Sequence, residues 1–154
     1  QMMTGHIPAW GKFPEHGDLW EKNASELDRK QAIFRGLKEI CSRIAATTFM
    51  RAGVVAKPEM ILIDRGYEPD VVHKFCASAS YPFRVMPSRG YASQKYWPRP
   101  AMTVGKPMEG CHTTRGEQGH FVSFNADLWR ETSQRAFLAD VGAPGGMTLW
   151  NSSN

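Results

Sequence analysis

Two stretches of the 154-residue chain carry side chains whose type and spacing suit chemistry. The first is Met60-Ile61-Leu62-Ile63-Asp64-Arg65-Gly66. An apolar run that ends in an acid and a glycine reads as a buried strand leaving into a tight turn, with Asp64 at its carboxyl end. In α/β sheets, ligands and catalytic groups collect at that end. A carboxylate held there by rigid backbone suits a divalent cation. The same residue type also forms turns and caps helices, so Asp64 has a plain structural reading beside the chemical one.

The second stretch runs from Val71 to Met108 and contains no Asp or Glu. Its cations are Lys74, Arg84, Arg89, Lys95, Arg99 and Lys106, with Tyr81, Phe83, Tyr91, Tyr96 and Trp97 interleaved. Cations neutralise phosphates and aromatic rings stack on bases, so this composition is the footprint of a nucleic-acid surface. The competing reading is a solvated loop whose aromatics anchor it to the core. Within the stretch, Ser88-Arg89-Gly90 offers a guanidinium for a phosphate and, at Gly90, room for the backbone to approach one.

Other chemistries find little support. The chain has no GxSxG elbow, no GxxxxGK[ST] loop and no GxGxxG turn. His73, His112 and His120 have no second ligand at metal-binding spacing. Glu15, His16 and Asp18 read as loop polar groups, because nothing rigid holds them. The three cysteines, Cys41, Cys76 and Cys111, form no CxxC pair. Cys41 and Cys76 fall on apolar helix faces and read as small core residues, which suggests a reducing intracellular setting.

These groups need elements to position them. The length suits one domain, and 42% hydrophobic with 22% charged residues is ordinary for a globular chain. A net charge of +4 permits a polyanionic partner without demanding one. No signal peptide and no membrane-length apolar run is visible, so no membrane partner is expected.

Glycines and prolines dominate residues 4–22, which predicts a loop with a short strand at Ile7–Trp10. Residues 25–46 are the clearest helix. Ser25 with Asp28 caps it, and Ile33, Leu37, Ile40, Cys41 and Ile44 form its stripe. A short strand is expected near Val54-Val55. Met60–Ile63, apolar throughout, is expected in the middle of a sheet. A helix over Pro69–Ser78, in which the mid-helix His73 is free to face solvent, then leads to a strand at Phe83–Met86 stopped by Pro87. Together these make a parallel βαβ unit.

Pro87–Gln118 reads as an irregular loop holding a brief strand at Ala101–Val104. His120–Phe124 is a strand, and Asn125 caps a helix over Ala126–Asp140. Gly142 and Pro144 end that helix, and Met147–Trp150 is a last strand. The expected class is α/β, with about three helices around a sheet of about five strands.

Several of these residues resemble a known family. Ile63-Asp64-Arg65-Gly66-Tyr67, then Asp70-Val71-Val72-His73-Lys74-Phe75, then a strand into Ser88-Arg89-Gly90, resembles the nuclease domain of the large terminase subunit of lambda-like tailed bacteriophages. Phe121–Leu138 and Pro144-Gly145-Gly146-Met147 look like later elements of the same domain. The order of elements matches over residues 7–150, and the specific part is Ile61–Gly90.

The resemblance implies a ribonuclease H-like mixed sheet. It also implies metal-dependent endonucleolytic cutting of phage DNA during packaging, with Asp64 as a catalytic carboxylate on Mg²⁺ or Mn²⁺. Arg84, Arg89, Gly90, Lys95, Arg99 and Lys106 would face the DNA. The implied partners are double-stranded DNA, other terminase parts and the phage portal, in the cytoplasm of a bacterial host.

The chain departs from the family pattern in four respects. The early acidic strand expected ahead of Ala9-Trp10-Gly11 is not recognisable. The last family aspartate would fall beyond Asn154. Arg65 replaces a small residue, and the packaging ATPase is missing. The expectation is therefore a shortened nuclease core, in which Asp18, Asp127 or Asp140 would have to complete the acidic cluster. Two alternatives remain: a non-catalytic nucleic-acid-binding or assembly module using residues 81–106, and a phosphatase-like α/β enzyme built on Asp64.

Overall fold

The computed structural model describes residues 5–7, 24–51, 54–108, 110–140 and 143–149. In chain order the elements are β1 (Gly5–Ile7), α1 (Glu26–Ala46), β2 (Phe49–Arg51), β3 (Val54–Ala56), β4 (Met60–Asp64), α2 (Pro69–Ser78), β5 (Arg84–Tyr91), β6 (Thr103–Met108), β7 (Cys111–Gly116), β8 (Gly119–Asn125), α3 (Ala126–Leu138) and β9 (Met147–Leu149). Among the described residues this is an α/β protein with three helices and a five-stranded mixed sheet in the order β4-β5-β8-β7-β6. β4, β5 and β8 run parallel, and β8, β7 and β6 alternate in direction. Two small ladders stand apart from the sheet: parallel β1-β9 and antiparallel β2-β3. No helix among the described residues is long and apolar enough to cross a membrane.

Local chemistry explains where the helices begin. Ser25 and Asp28 form a reciprocal capping box, each side chain satisfying the other's backbone N–H. Asn125 accepts from the amides of Asp127 and Leu128 at the start of α3. α2 opens on Pro69, whose missing N–H costs nothing in a first turn. The residue before it, Glu68, sits at φ 49°, and its carbonyl accepts from Val71 and Val72.

The apolar core lies where α1 and α2 cover the β4–β5 half of one sheet face. Cys41, Phe75 and Phe83 form its centre, with Ile61, Ile63 and Val85 from the sheet and Phe34, Leu37 and Ile40 from α1 packed around them. Phe75, 2% exposed, meets Phe34 edge to face at 5.4 Å. Burying such a ring stabilises the fold by about 1.5–3 kcal/mol. Burial also pushes the Cys76 thiol up to about 11, with the neighbouring Cys41 adding to the shift. Cys41 and Cys76 are core residues, as their helix positions predicted.

Four expectations are corrected. Met60–Asp64 is an edge strand of the described sheet, with Met60 41% and Leu62 47% exposed on the face away from α2. The apolar run of this strand does not distinguish an edge from a centre. β5 also continues through Pro87 to Tyr91. Arg84 and Ser88 turn their backbone groups toward β4, through Arg84 N–H to Glu59 O and Arg65 N–H to Ser88 O. Pro87 therefore turns its nitrogen to the other side, where pairing with β8 begins only at Ser88. A proline is tolerated at such an unpaired position.

The stretch expected to be an irregular loop contains the β6–β7 hairpin. Gly105 and Gly110 take positive φ at its irregularity and its turn. The glycines and Pro107 that suggested a loop are those a bulged edge strand accommodates. Finally, His73 is buried, its ring against Phe121, rather than facing solvent.

Candidate nucleic-acid interface and the Asp64 turn

Asp64 is the last residue of β4 and is exposed. Its Oδ1 accepts from the Gly66 amide at 3.1 Å, which seats the carboxylate on its own turn. A Cβ at Gly66 would stand 3.1 Å from Asp64 Oδ2, so glycine leaves that second oxygen open. The ladder extends one residue past β4 through Arg65 N–H to Ser88 O at 2.9 Å. The Arg65 guanidinium then lies over the Phe121 ring, 4.3 Å from its centroid. Arg65 Nε and His73 Nε2 are both buried without a hydrogen-bond partner among the described residues. Burial, with Arg65 nearby, pushes the His73 imidazole below its ordinary value, so it is neutral near pH 7.

Strand register assigns each predicted residue to a face. Asp64 pairs with Ser88, and Ser88 with Val122. Paired residues share a face and neighbours alternate. Asp64, Arg84 and Gly90 therefore lie on one face of the sheet, and Arg89 and Tyr91 on the other. The open side of Gly90 is filled, since a Cβ there would come 2.9 Å from the Phe124 ring and 3.1 Å from Ala126 Cβ. Packing of Phe124 thus gives this glycine a structural reason of its own. Arg84 sits at the amino end of β5, its guanidinium 3.7 Å from Met86 Sδ. Lys106 is exposed on β6, past the register shift.

Lys95 and Arg99 both line one cavity of about 240 Å³ on the Arg89 face, and both are exposed, which puts them at its mouth. Tyr91, Tyr96 and Trp97 form its walls, and Trp97 is 81% exposed. The floor is built from buried residues of β7 and β8: His112, Thr114, Phe121 and Ser123. The Thr114 and Ser123 hydroxyls are 2.7 Å apart, and Tyr96 Oη lies 2.9 Å from His112 Nδ1. Burial pushes the His112 imidazole down and the Tyr96 phenol up, so both are neutral near pH 7. Arg89 stacks on Tyr91 at 5.3 Å beside the cavity.

Among the described residues neither Lys95 nor Arg99 has an ion-pair partner, whereas Lys30, Arg130 and Arg135 are paired along their helices. Sequence reading found the walls and the cations and missed the floor. The alternating Cys111–Gly116 segment, with Thr113 and Thr114, carried the signal of a strand beneath them.

The other acidic candidates lie elsewhere. Asp127 accepts from Ser93 N–H at 2.8 Å and from Arg130, and these bonds hold its carboxyl below the usual range. Asn125, which precedes it, is three residues further along the sheet than the Asp64 level and two strands across, on the order of 14 Å away. Asp140 follows α3 and is exposed. Glu15, His16 and Asp18 lie outside the described residues. Among the described residues no three His, Cys, Asp or Glu side chains gather into a metal-binding group. Asp64 by itself fits one loosely held, hydrated Mg²⁺ or Mn²⁺, and not a pair of ions.

Comparisons with protein-family models, with curated proteins and with solved structures give no match to this chain.

Proposed function

We propose that the chain is a DNA-cutting domain of the terminase nuclease type, with Asp64 as a metal-binding catalytic carboxylate and the basic aromatic stretch engaging DNA. One observation carries the reading. Asp64 stands exposed at the carboxyl end of a parallel β4–α2–β5 unit, one oxygen tied to Gly66 N–H and the other open. That is the position where an α/β sheet presents a ligating acid. Three antiparallel strands continued by two parallel ones are also compatible with a ribonuclease H-like layout. When bound, a divalent ion would activate water for phosphodiester hydrolysis. The protein's own part at this site is to present one ligand oxygen on a rigid strand end. A second ion would need acidic groups beyond those described around Asp64.

The test is plasmid nicking with Mn²⁺, Mg²⁺ or EDTA, comparing wild type with Asp64→Asn, together with Mn²⁺ binding to both proteins. Metal-dependent nicking should fall at least about 100-fold in the variant, in line with loss of a key electrostatic group. Mn²⁺ affinity should fall with it. Unchanged nicking by Asp64→Asn would sink the assignment.

A second reading has its own observation. The cavity and its cations, which have no ion-pair partner among the described residues, lie on the face opposite Asp64, so nucleic-acid binding there needs no metal and no Asp64. A non-catalytic binding module predicts DNA affinity that falls steeply with salt and is the same in Asp64→Asn, with no nicking by either protein.

A further inference from the structure

The cavity on the Arg89 face differs in kind from a surface that tracks a duplex. A basic stripe for double-stranded DNA needs cations spaced along a convex or grooved surface. Here the cations stand at the mouth of a recess whose floor lies at the level of the sheet. His112, Thr114, Phe121 and Ser123 on that floor are each 8% exposed or less. A base inside a duplex cannot reach such a floor, whereas an unpaired base can.

The chemistry of the recess is also specific. Tyr91, Tyr96 and Trp97 provide ring faces, which suit any base because every base has a π-face. The Thr114–Ser123 hydroxyl pair and the Tyr96–His112 couple add donors and acceptors to the same lining, which the polar edge of a base can use. At about 240 Å³ the recess is smaller than the usual drug-sized pocket of about 300–1,000 Å³, and of a size for one base with part of its sugar. Lys95 and Arg99 stand at the mouth without carboxylate partners among the described residues, placed for the phosphate of the same nucleotide.

We propose that this cavity holds one unpaired nucleotide of a single-stranded nucleic acid, its base among the aromatic walls and its phosphate at Lys95 and Arg99. The inference rests on the reading that the domain engages DNA, and it narrows that reading to a strand with at least one base out of the duplex. A nuclease built this way would grip frayed or distorted DNA more tightly than regular duplex.

The test is fluorescence anisotropy with three labelled probes of equal length at one salt concentration: a thymidine oligonucleotide, a strand with the same backbone but no bases, and a duplex. Wild type should bind the thymidine strand several-fold more tightly than either of the others. Trp97→Ala, a substitution at an exposed side chain that leaves the core intact, should weaken the thymidine strand about 5- to 150-fold, the range for loss of one base–aromatic stack. It should leave the base-free strand unchanged. Lys95→Ala with Arg99→Ala should weaken both single strands. Equal binding of base-bearing and base-free strands overturns the proposal, as does an equal loss on both in Trp97→Ala, or no binding of any probe. Plasmid nicking is scored separately. Base preference without Asp64-dependent nicking would keep the nucleotide site and remove the nuclease. Nicking without base preference would do the reverse.

Discussion

One face of the sheet is used in two ways across its width. In the β4–β5 half, α1 and α2 cover it, and Ile61, Ile63 and Val85 pack with Phe75, Phe83 and Cys41. In the β8–β7 half the described helices reach only Phe121 of the floor, through His73 of α2, and the same pleat presents Ser123, Thr114 and His112 in the cavity lining. The two halves meet at Phe121, which takes the Arg65 guanidinium on its face and the His73 ring at its edge. The difference shows how a single alternating pattern serves both purposes. Under α1 and α2 the inward residues Ile61, Ile63 and Val85 are apolar, and beyond them Phe121 is joined by two hydroxyls and an imidazole, Thr114, Ser123 and His112.

The contrast between the halves can be broken most forcefully at Phe75. Phe75→Ala should cost about 3–5 kcal/mol, a large share of a typical domain's stability. Denaturant unfolding would measure it. At concentrations where the variant stays folded, its affinity for the thymidine strand should match wild type. A loss of affinity in that folded population would show that the two halves are not separable.

A smaller effect is expected at Gly90, on the opposite face, where an added methyl meets the Phe124 ring and Ala126. Gly90→Ala should destabilise by about 1–3 kcal/mol through overpacking, with DNA affinity unchanged once folded. A selective loss of DNA binding at unchanged stability would instead give this glycine a phosphate-facing role.

The smallest effect is a pH dependence that compares the halves directly. His73 lies in the covered half and His112 under the cavity, and burial holds both imidazoles below their ordinary value. Arg65 lowers His73 further, and Asp70 acts in the opposite sense. The neutral ring is therefore the folded form. Its contribution is complete above the unfolded value near 6.5 and is lost as pH falls through the lower folded value. Thermal midpoints should drop between about pH 7 and 5. His73→Gln and His112→Gln should each flatten that slope, and the larger flattening identifies the half that opens first in acid. A slope unchanged by both substitutions would remove the two rings from the acid response.

Much of the fold was legible from local signals. Ser25 with Asp28, Pro69 with the Val71–Phe75 spacing, and Asn125 ahead of Ala126 each mark a helix start through short-range hydrogen bonds or backbone restriction, and α1, α2 and α3 begin there. The strand–turn–helix at Asp64 was legible for the same reason. Less was legible in residues 87–118, where glycine and proline positions are ambiguous between a loop and a bulged edge strand. Only a partner strand resolves that ambiguity.

By itself, then, the order of residues determined the helices, their caps, the parallel β4–α2–β5 unit and the set of aromatic and basic side chains available for a partner. Those properties depend on neighbours a few positions apart. It did not determine that β4 lies at an edge of the described sheet, that Pro87 sits inside a strand, or that Asp64 and Arg89 face opposite ways although both were candidates for one site. Nor did it place His112, Thr114 and Ser123 beneath Tyr96 and Trp97. Those facts follow from pairing between strands far apart in the chain, where a shift of one residue exchanges the faces, and no local pattern encodes that register.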